Sequence, residues 1–236
     1  MFPETQQSVI ERIREGDADV RRLAFGDLAS GYWRASYHYL RLQWRLTPAD
    51  AEDAVQAFFT AAFEKQYIEK FDPAQARFRT FLRVCLDRFV QNLRKADGAA
   101  KRGGAATLLS LDFAGAEREI PSLPPAIGDA ERFFHDETVR TLFARAVERM
   151  RRDFAAAGRD TVMAVFDRHD LSPESSTTYA SIAAELSISV AQVTNYLHQA
   201  RSALRQATLA ELRAISASDR EFEDDARLLF GARVAR

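Results

Sequence analysis

Apolar side chains recur every three or four positions along most of this chain of 236 residues. That spacing places them on one face of an α-helix, and no stretch shows the two-residue alternation of a half-buried strand. Thr47, Pro48 and Asp50 supply a capping hydroxyl, a first-turn proline and an early carboxylate, which together indicate a helix start. Two further helix starts have the spacing of a capping box: Ser189 with Gln192, and Ser218 with Glu221. The predicted helices cover about 4–15, 18–45, 48–66, 75–97, 129–156, 159–169, 179–186, 189–205 and 218–230. We therefore predict an all-α fold.

The composition changes between residues 98 and 128. This stretch holds five of the ten glycines and three of the seven prolines. Because glycine and proline interrupt regular helices, we interpret residues 99–129 as a linker. The chain then divides into an N-terminal helical domain, 1–98, a C-terminal domain, 130–214, and a C-terminal extension, 215–236.

From residue 179 the chain reads YASIAAELSISVAQVTNYLHQARSALR. Ile182, Ala183 and Leu186 share one face of a short helix, residues 187–189 form a turn, and a longer helix follows. This pattern is typical of a helix-turn-helix whose second helix enters the major groove, although an ordinary helix pair inside a core has the same spacing. In the first interpretation the outward side chains of the second helix read base edges. They are Ser189, Gln192, Thr194, Asn195, Tyr196, His198, Gln199 and Arg201.

The net charge is −1, but positive charge concentrates between residues 77 and 105. Eight basic side chains stand there against two acidic ones, which gives a local charge of +6. The basic residues are Arg77, Arg79, Arg83, Arg88, Arg94, Lys95, Lys101 and Arg102. Cations on one helix face suit the phosphates of a nucleic acid, and we expect them, with Asn92, to face outward together. Phe81, Leu82, Leu86 and Phe89 are expected to be core.

The preceding helix has the opposite character. Asp50, Glu52, Asp53 and Gln56 lie in its first two turns, and Phe58 and Phe59 follow. Early carboxylates stabilise a helix dipole in any case. The same acidic face could instead dock a basic surface of a partner protein.

Several kinds of chemistry have no signature in the chain. There is no phosphate-binding GxxxxGK[ST], no GxGxxG and no GxSxG, and the four histidines lack metal-ligand spacing. We therefore expect no enzymatic activity, no cofactor and no metal. A single cysteine, Cys85, and the lack of a signal pattern or a long apolar run predict a cytoplasmic protein without a membrane partner.

DAEDAVQAFF, then FRTFL and FVQNLRKA, then YASIAAELSISVAQVTNYLHQAR stand in the order and spacing of an ECF-type sigma factor of bacterial RNA polymerase. The resemblance covers roughly residues 18–104 and 130–212. It implies that the first helical domain melts and reads a −10-type promoter element and that the second reads the −35 element. The implied partners are core RNA polymerase and promoter DNA, with an anti-sigma factor or a regulatory kinase as further candidates.

The resemblance also implies roles for individual positions. Asp50, Glu52, Asp53, Gln56 and Phe59 match the helix that grips the clamp of the largest polymerase subunit. Residues 67–77 match the loop that captures an extruded promoter base. The helix that carries Arg77, Arg79, Arg88, Asn92, Arg94 and Lys95, with Lys101 and Arg102 after it, matches the DNA-reading face, and residues 190–201 match the second recognition helix.

Four departures from the family pattern qualify these roles. Ala57 replaces the usual glutamate of the docking helix, and phosphorylation of Thr60 one turn later is a hypothesis for restoring the charge. Ser187 replaces the usual turn glycine, which costs strain if the backbone there has positive φ. Thr194, Tyr196 and Gln199 stand where the family often has Lys or Arg. The extension beyond about 214 either folds back on the core or shields the basic surface.

Two rival functions stay open. A sigma-like module could bind an anti-sigma regulator without reading DNA, because the second helix is thinly basic. A free-standing helix-turn-helix repressor would instead bind duplex DNA tightly without polymerase.

Overall fold

The computed structural model describes residues 8–96, 111–118, 120, 130–172 and 178–231. Every regular element within those ranges is helical, so the prediction of an all-α fold is confirmed. The α-helices are α1 (Val9–Glu15), α2 (Ala18–Leu42), α3 (Pro48–Glu64), α4 (Phe78–Ala96), α5 (Phe113–Arg118), α6 (Ala130–Ala156), α7 (Asp160–Phe166), α8 (Tyr179–Glu185), α9 (Val190–Ile215) and α10 (Asp219–Phe230). A 3-10 turn covers Ile68–Lys70, and a π-helical turn, Asp167–Leu171, follows α7.

The chain divides into two compact units. Unit 1 comprises Met1–Thr141 with Leu212–Arg236, and unit 2 comprises Leu142–Glu211. The divisions fall within α6 and α9, whereas the sequence pattern suggested a linker at 99–129. The chain returns to unit 1 at the end of α9, where Ile215 packs against Gly31 of α2. The contact is so close that a Cβ atom on Gly31 would lie 2.5 Å from the Ile215 side chain.

Unit 1 is built around α2, which is buried along most of its length from Ala24 to Leu40. Helices α1, α3 and α5 pack against it. Aromatic rings make many of the contacts: Phe25 meets Phe59 of α3 with the ring centroids 6.4 Å apart, and Trp33 meets Phe113 of α5 at 5.2 Å. Edge-to-face pairs of this kind add to the stabilisation that burial alone provides.

Buried polar contacts of His38 join α5 and α6 to α2. His38 is fully buried, its Nδ1 lies 2.5 Å from a carboxylate oxygen of Glu137, and its Nε2 lies 2.8 Å from the carbonyl oxygen of Ala116. Both ring nitrogens of His38 therefore lie within hydrogen-bond distance of an oxygen atom. Glu137 also accepts from the exposed Arg140 at 2.7 Å, so its charge has two basic neighbours.

Helix α5 lies inside the segment 99–129 that we interpret as a linker. Its Phe113 and Ala116 are buried against α2, and Asp112 caps it by accepting the backbone N–H of Gly115 at 2.8 Å. The glycine- and proline-rich composition of the segment gave no signal for this short helix.

Glu117 ties α5 to the end of α2. It accepts hydrogen bonds from Arg41 at 2.5 and 2.8 Å and from the Tyr37 hydroxyl at 2.6 Å. These donors lower the pKa of Glu117 below its usual 4.5, while burial and the adjacent carboxylate raise the pKa of Tyr37 to about 12.

The Glu117 contact predicts a pH-dependent stability difference. A carboxyl group with a lowered pKa in the folded state stabilises it above the unfolded pKa, and that contribution is lost as pH falls through the folded pKa. Glu117→Gln should therefore lower the free energy of unfolding by about 1 kcal/mol at pH 7. Urea unfolding should show this difference shrinking between pH 5 and 3 on the same principle. A constant difference across that range would contradict the assignment.

Unit 2 packs two apolar clusters around α9. One consists of Met150, Phe154, Val162, Met163, Phe166 and Ala200, and the other of Val165, Ile182, Ala183, Val193 and Leu197. Ala200, Val193 and Leu197 all belong to α9, so this helix is the shared wall of the two clusters.

The turn between α8 and α9 has a defined geometry. Ser187 has φ 55°, and the backbone N–H groups of Ser187 and Ile188 donate to the carbonyls of Ala184 and Ala183 at 3.4 and 3.0 Å. This is the Schellman arrangement, which normally has glycine at the left-handed position. From the sequence we expected strain at Ser187 if its φ is positive, and its φ is indeed positive.

Ser187→Gly should therefore raise the stability of unit 2 by about 0.5–1 kcal/mol, since glycine adopts positive φ without a Cβ clash. Ser202→Gly is the matched control, because Ser202 is exposed within α9 and glycine there should cost roughly the same amount. Hydrogen exchange at the amides of Val193 and Leu197 measures both changes. Destabilisation by both variants would show that the turn is not strained.

Candidate functional site

Helix α4 has one apolar and one basic face. Phe78, Leu82, Leu86 and Val90 are buried in unit 1, and the ring of the half-buried Phe89 lies 5.6 Å from that of Phe58 in α3. The outward residues of its second half are Arg88, Asn92, Arg94 and Lys95, which are all exposed. For these four positions the expected outward orientation is confirmed, whereas Lys101 and Arg102 lie outside the described residues.

Trp44, just after α2, supports the end of this basic face. The Arg94 guanidinium lies 4.8 Å from the centroid of the Trp44 ring and donates a hydrogen bond to the Trp44 carbonyl oxygen at 2.9 Å. The indole N–H donates to Asp87 at 2.8 Å, and Asp87 also accepts from the Tyr39 hydroxyl at 2.9 Å and from Arg83 at 3.0 Å. Burial raises the pKa of Tyr39, which further favours the protonated hydroxyl that donates to Asp87.

Sequence reasoning missed the roles of Trp44 and Asp87. The two residues are 43 positions apart, and each by itself resembles an ordinary solvated or core side chain. A local pattern carries no signal for such a contact.

The first turn of α4 differs from the second half. Arg77 and Arg79 both donate to Asp225 of α10, at 2.7 and 3.0 Å, and the side chain of Arg79 is only 13% exposed. Arg83 is likewise paired, with Asp87. The expectation that all these cations face outward together is wrong for Arg79 and Arg83, because acidic side chains from α10 and from α4 itself hold them.

The acidic start of α3 remains accessible only in part. Asp50 and Asp53 are exposed, while Glu52 and Gln56 are half-buried. The Gln56 side-chain amide donates a hydrogen bond to the Glu52 carboxylate at 3.4 Å. Phe59 is 2% exposed and packs against Phe25 and Phe58, so its prediction as a docking residue is wrong. It points inward because both α2 and α4 pack on this end of α3.

Arginines of α1 and α2 hold the segment 67–77 in place. Arg14 donates to the carbonyl oxygens of Glu69 and Phe71, and Arg21 pairs with the Glu69 carboxylate at 3.0 Å. Phe71 is buried, whereas Asp72 and Gln75 are exposed and joined by a 2.9 Å hydrogen bond.

The outward face of α9 in unit 2 uses many of its polar groups internally. Ser189 and Gln192 cap the helix reciprocally at 2.8 and 3.2 Å, which confirms the predicted capping box. The Thr194 hydroxyl donates to the carbonyl oxygen of Val190, and Gln199 donates to Asn195 at 3.1 Å. All the predicted contact residues are exposed except Tyr196 and Gln199, which are half-buried.

Two of these side chains have partners outside α9. Gln199 also accepts a hydrogen bond from Arg159, and Arg201 donates to Asp170 at 2.8 Å. The Arg201 hydrogen bonds lower the pKa of Asp170, so this carboxylate stays charged. Tyr196 packs against both apolar clusters, which corrects the prediction of a purely outward side chain.

No described group of His, Cys, Asp or Glu side chains is arranged to hold a metal ion. Across the same ranges, no helix has the length and apolar character that crossing a membrane requires. No protein-family model matches the chain, and neither a curated protein nor a solved structure does.

Proposed function

We propose that this chain is a sigma-type initiation factor, which directs bacterial RNA polymerase to specific promoters and helps to open the DNA. The observation that carries the proposal is the outward stripe of Arg88, Asn92 and Lys95 on α4. Their spacing of four and three residues places them along about 10 Å of one helix face. Two cations with an amide between them suit the backbone and base edges of a separated strand.

The start of α3 supplies the proposed contact with polymerase. Asp50 and Asp53 are exposed and can meet basic side chains, and both α3 and α4 belong to unit 1. Charge complementarity of this kind sets orientation and association rate more than affinity. Ala57 leaves the face with fewer charges than the family pattern, so Thr60 phosphorylation remains a hypothesis.

In unit 2 we interpret α8, its turn and α9 as a helix-turn-helix that reads the −35 element. Its Schellman turn and shared core support this interpretation, as does the exposure of Asn195 and His198. Because Arg201 is held by Asp170, phosphate attraction by this unit is weak. We therefore assign most of the DNA affinity to unit 1 and to polymerase.

The decisive experiment combines co-purification with transcription. The full chain is mixed with bacterial core polymerase and tested on promoters selected from genomic DNA. Arg88→Glu with Lys95→Glu should lower transcript yield at least about tenfold, since phosphate contacts become repulsions, while binding to core polymerase persists. Arg22→Glu is the control, because this arginine is exposed on α2 outside the proposed surfaces, and it should change the yield less than about twofold. Unchanged transcript from the α4 variant would refute the proposal.

A second prediction concerns Arg201. Asp170→Asn should release this arginine and strengthen binding of the polymerase complex to promoter duplex about two- to fivefold, because an ion pair this exposed is worth roughly 0.2–1 kcal/mol. Asp153→Asn removes the same charge from an exposed position on α6 and serves as the control. Equal binding by the two variants in a filter-binding titration would contradict a role for Arg201 in DNA contact.

One observation favours the rival function, a sigma-like module that binds an anti-sigma regulator without reading DNA. Arg77, Arg79 and Arg201, three of the predicted DNA contacts, are held in intramolecular ion pairs. This rival predicts capture of a regulator with no promoter-specific transcript. The transcription assay separates the two functions.

A further inference from the structure

Helix α10 is joined to the basic start of α4 by acidic side chains. It begins at Ser218, whose hydroxyl accepts the N–H of Glu221 at 3.2 Å, and it ends at Gly231 with φ 73°. Within α10 only Glu221 and Ala226 are buried. Three more of its apolar side chains are half-buried: Phe222, Leu229 and Phe230. The contact of α10 with unit 1 therefore combines a partly exposed apolar face with charged groups.

Asp225 is the centre of that contact. Its carboxylate accepts hydrogen bonds from Arg77 at 2.7 Å and from Arg79 at 3.0 and 3.1 Å, and it is 13% exposed. Asp224 stands 3.7 Å from Arg77 as an outer member of the cluster. Two guanidinium groups on one carboxylate form the charge-assisted arrangement that such groups also form with phosphate.

Glu221 completes the contact by capping α4. The sequence predicted a reciprocal capping box within α10, with Ser218 and Glu221 as partners. Instead the Glu221 carboxylate accepts the backbone N–H of Phe78, the first residue of α4, at 3.1 Å. Helix-terminal N–H groups attract anions, so Glu221 and Asp225 together occupy a position whose donors favour negative charge.

Arg77 and Arg79 are residues that the resemblance to sigma factors assigns to promoter DNA. We infer that α10 is an autoinhibitory clasp: its Asp225 and Glu221 compete with DNA phosphates for Arg77, Arg79 and the start of α4. DNA engages the complete basic face of α4 only after α10 has left it. This inference rests on the proposed function, because the promoter strand is the ligand with which α10 competes.

The contact has the properties of a reversible one. Arg77 is 44% exposed even when paired, and Leu228, in the last turn of α10, is 66% exposed. The ion pair through Arg77 is therefore screened by salt, whereas the Arg79–Asp225 pair, 13% exposed on both sides, is the better shielded part of the contact. A strand that presents several phosphates can therefore replace two carboxylates.

The test compares Asp225→Asn with Glu223→Gln in the full chain. Both variants remove one negative charge from α10, but among the described residues the Glu223 carboxylate pairs with Arg227 of its own helix and not with α4. The probe is a fluorescein-labelled single-stranded 20-mer, titrated by fluorescence anisotropy over a range of NaCl concentrations. Asp225→Asn should bind about fivefold more tightly than wild type at low salt, and Glu223→Gln should match wild type within about 1.5-fold.

The salt dependence distinguishes released arginines from a general effect on folding. Two additional phosphate contacts should steepen the slope of log K against log salt by about 1.4 for a single strand. Adding Arg77→Gln and Arg79→Gln to Asp225→Asn should abolish both the gain in affinity and the steeper slope. Equal affinity and slope for Asp225→Asn and Glu223→Gln would overturn the inference while leaving the proposed function intact.

Hydrogen exchange in wild type provides a second measurement. Saturating 20-mer should increase exchange of the α10 amides from Phe222 to Phe230, because the strand displaces the helix. Unchanged or slower exchange with the strand bound would exclude competition. Failure of every variant to bind the 20-mer at low salt would refute both the clasp and the proposed DNA contact.

Discussion

Three consecutive residues of α2 each bind a different part of unit 1. The Tyr37 hydroxyl donates to Glu117 in α5, His38 contacts Glu137 in α6, and the Tyr39 hydroxyl donates to Asp87 in α4. Successive side chains on a helix point about 100° apart, so one turn of a buried helix reaches three neighbours. Each polar group is removed from water and must find its partner inside the protein, which leaves few alternative arrangements. This turn therefore fixes how the helices of unit 1 surround α2.

The basic face of α4 depends on that turn. Hydrogen bonds from Tyr39 and Trp44 hold Asp87 and so fix the rotation of α4 about its own axis. In this orientation Leu82 and Leu86 are buried. Arg88, Asn92 and Lys95 then face outward, because they lie on the opposite side of the helix. In the function we propose, the phosphate-binding stripe is thus oriented by a buried hydrogen-bond network rather than by its own charges.

Local signals predicted the helices well and the long-range contacts poorly. Thr47 with Pro48, and Ser189 with Gln192, mark helix starts where capping chemistry requires them. The partner of Glu221 was misassigned because the pairing lies 143 positions away in α4 rather than three positions away in α10. Phe59 was misplaced because phenylalanines at adjacent positions suit more than one helix face, and only the packing of neighbours decides which is buried. Side-chain periodicity records which face is apolar, but not which carboxylate meets which guanidinium.

A near-neutral chain with a concentrated basic segment has a predictable electrostatic outcome. Carboxylates elsewhere in the chain have a high effective concentration, so arginines pair with them unless a stronger anion is present. Asp225 does this for Arg77 and Arg79 in unit 1, and Asp170 does it for Arg201 in unit 2. The affinity of such a surface for DNA is then the difference between two similar free energies. One is that of arginine with DNA phosphate, and the other is that of arginine with a carboxylate of the same chain. Differences of this kind are small for the free chain, and a partner such as polymerase that holds the DNA nearby can reverse their sign. In the function we propose, promoter binding is therefore conditional on that partner because the same cations serve both the fold and the DNA.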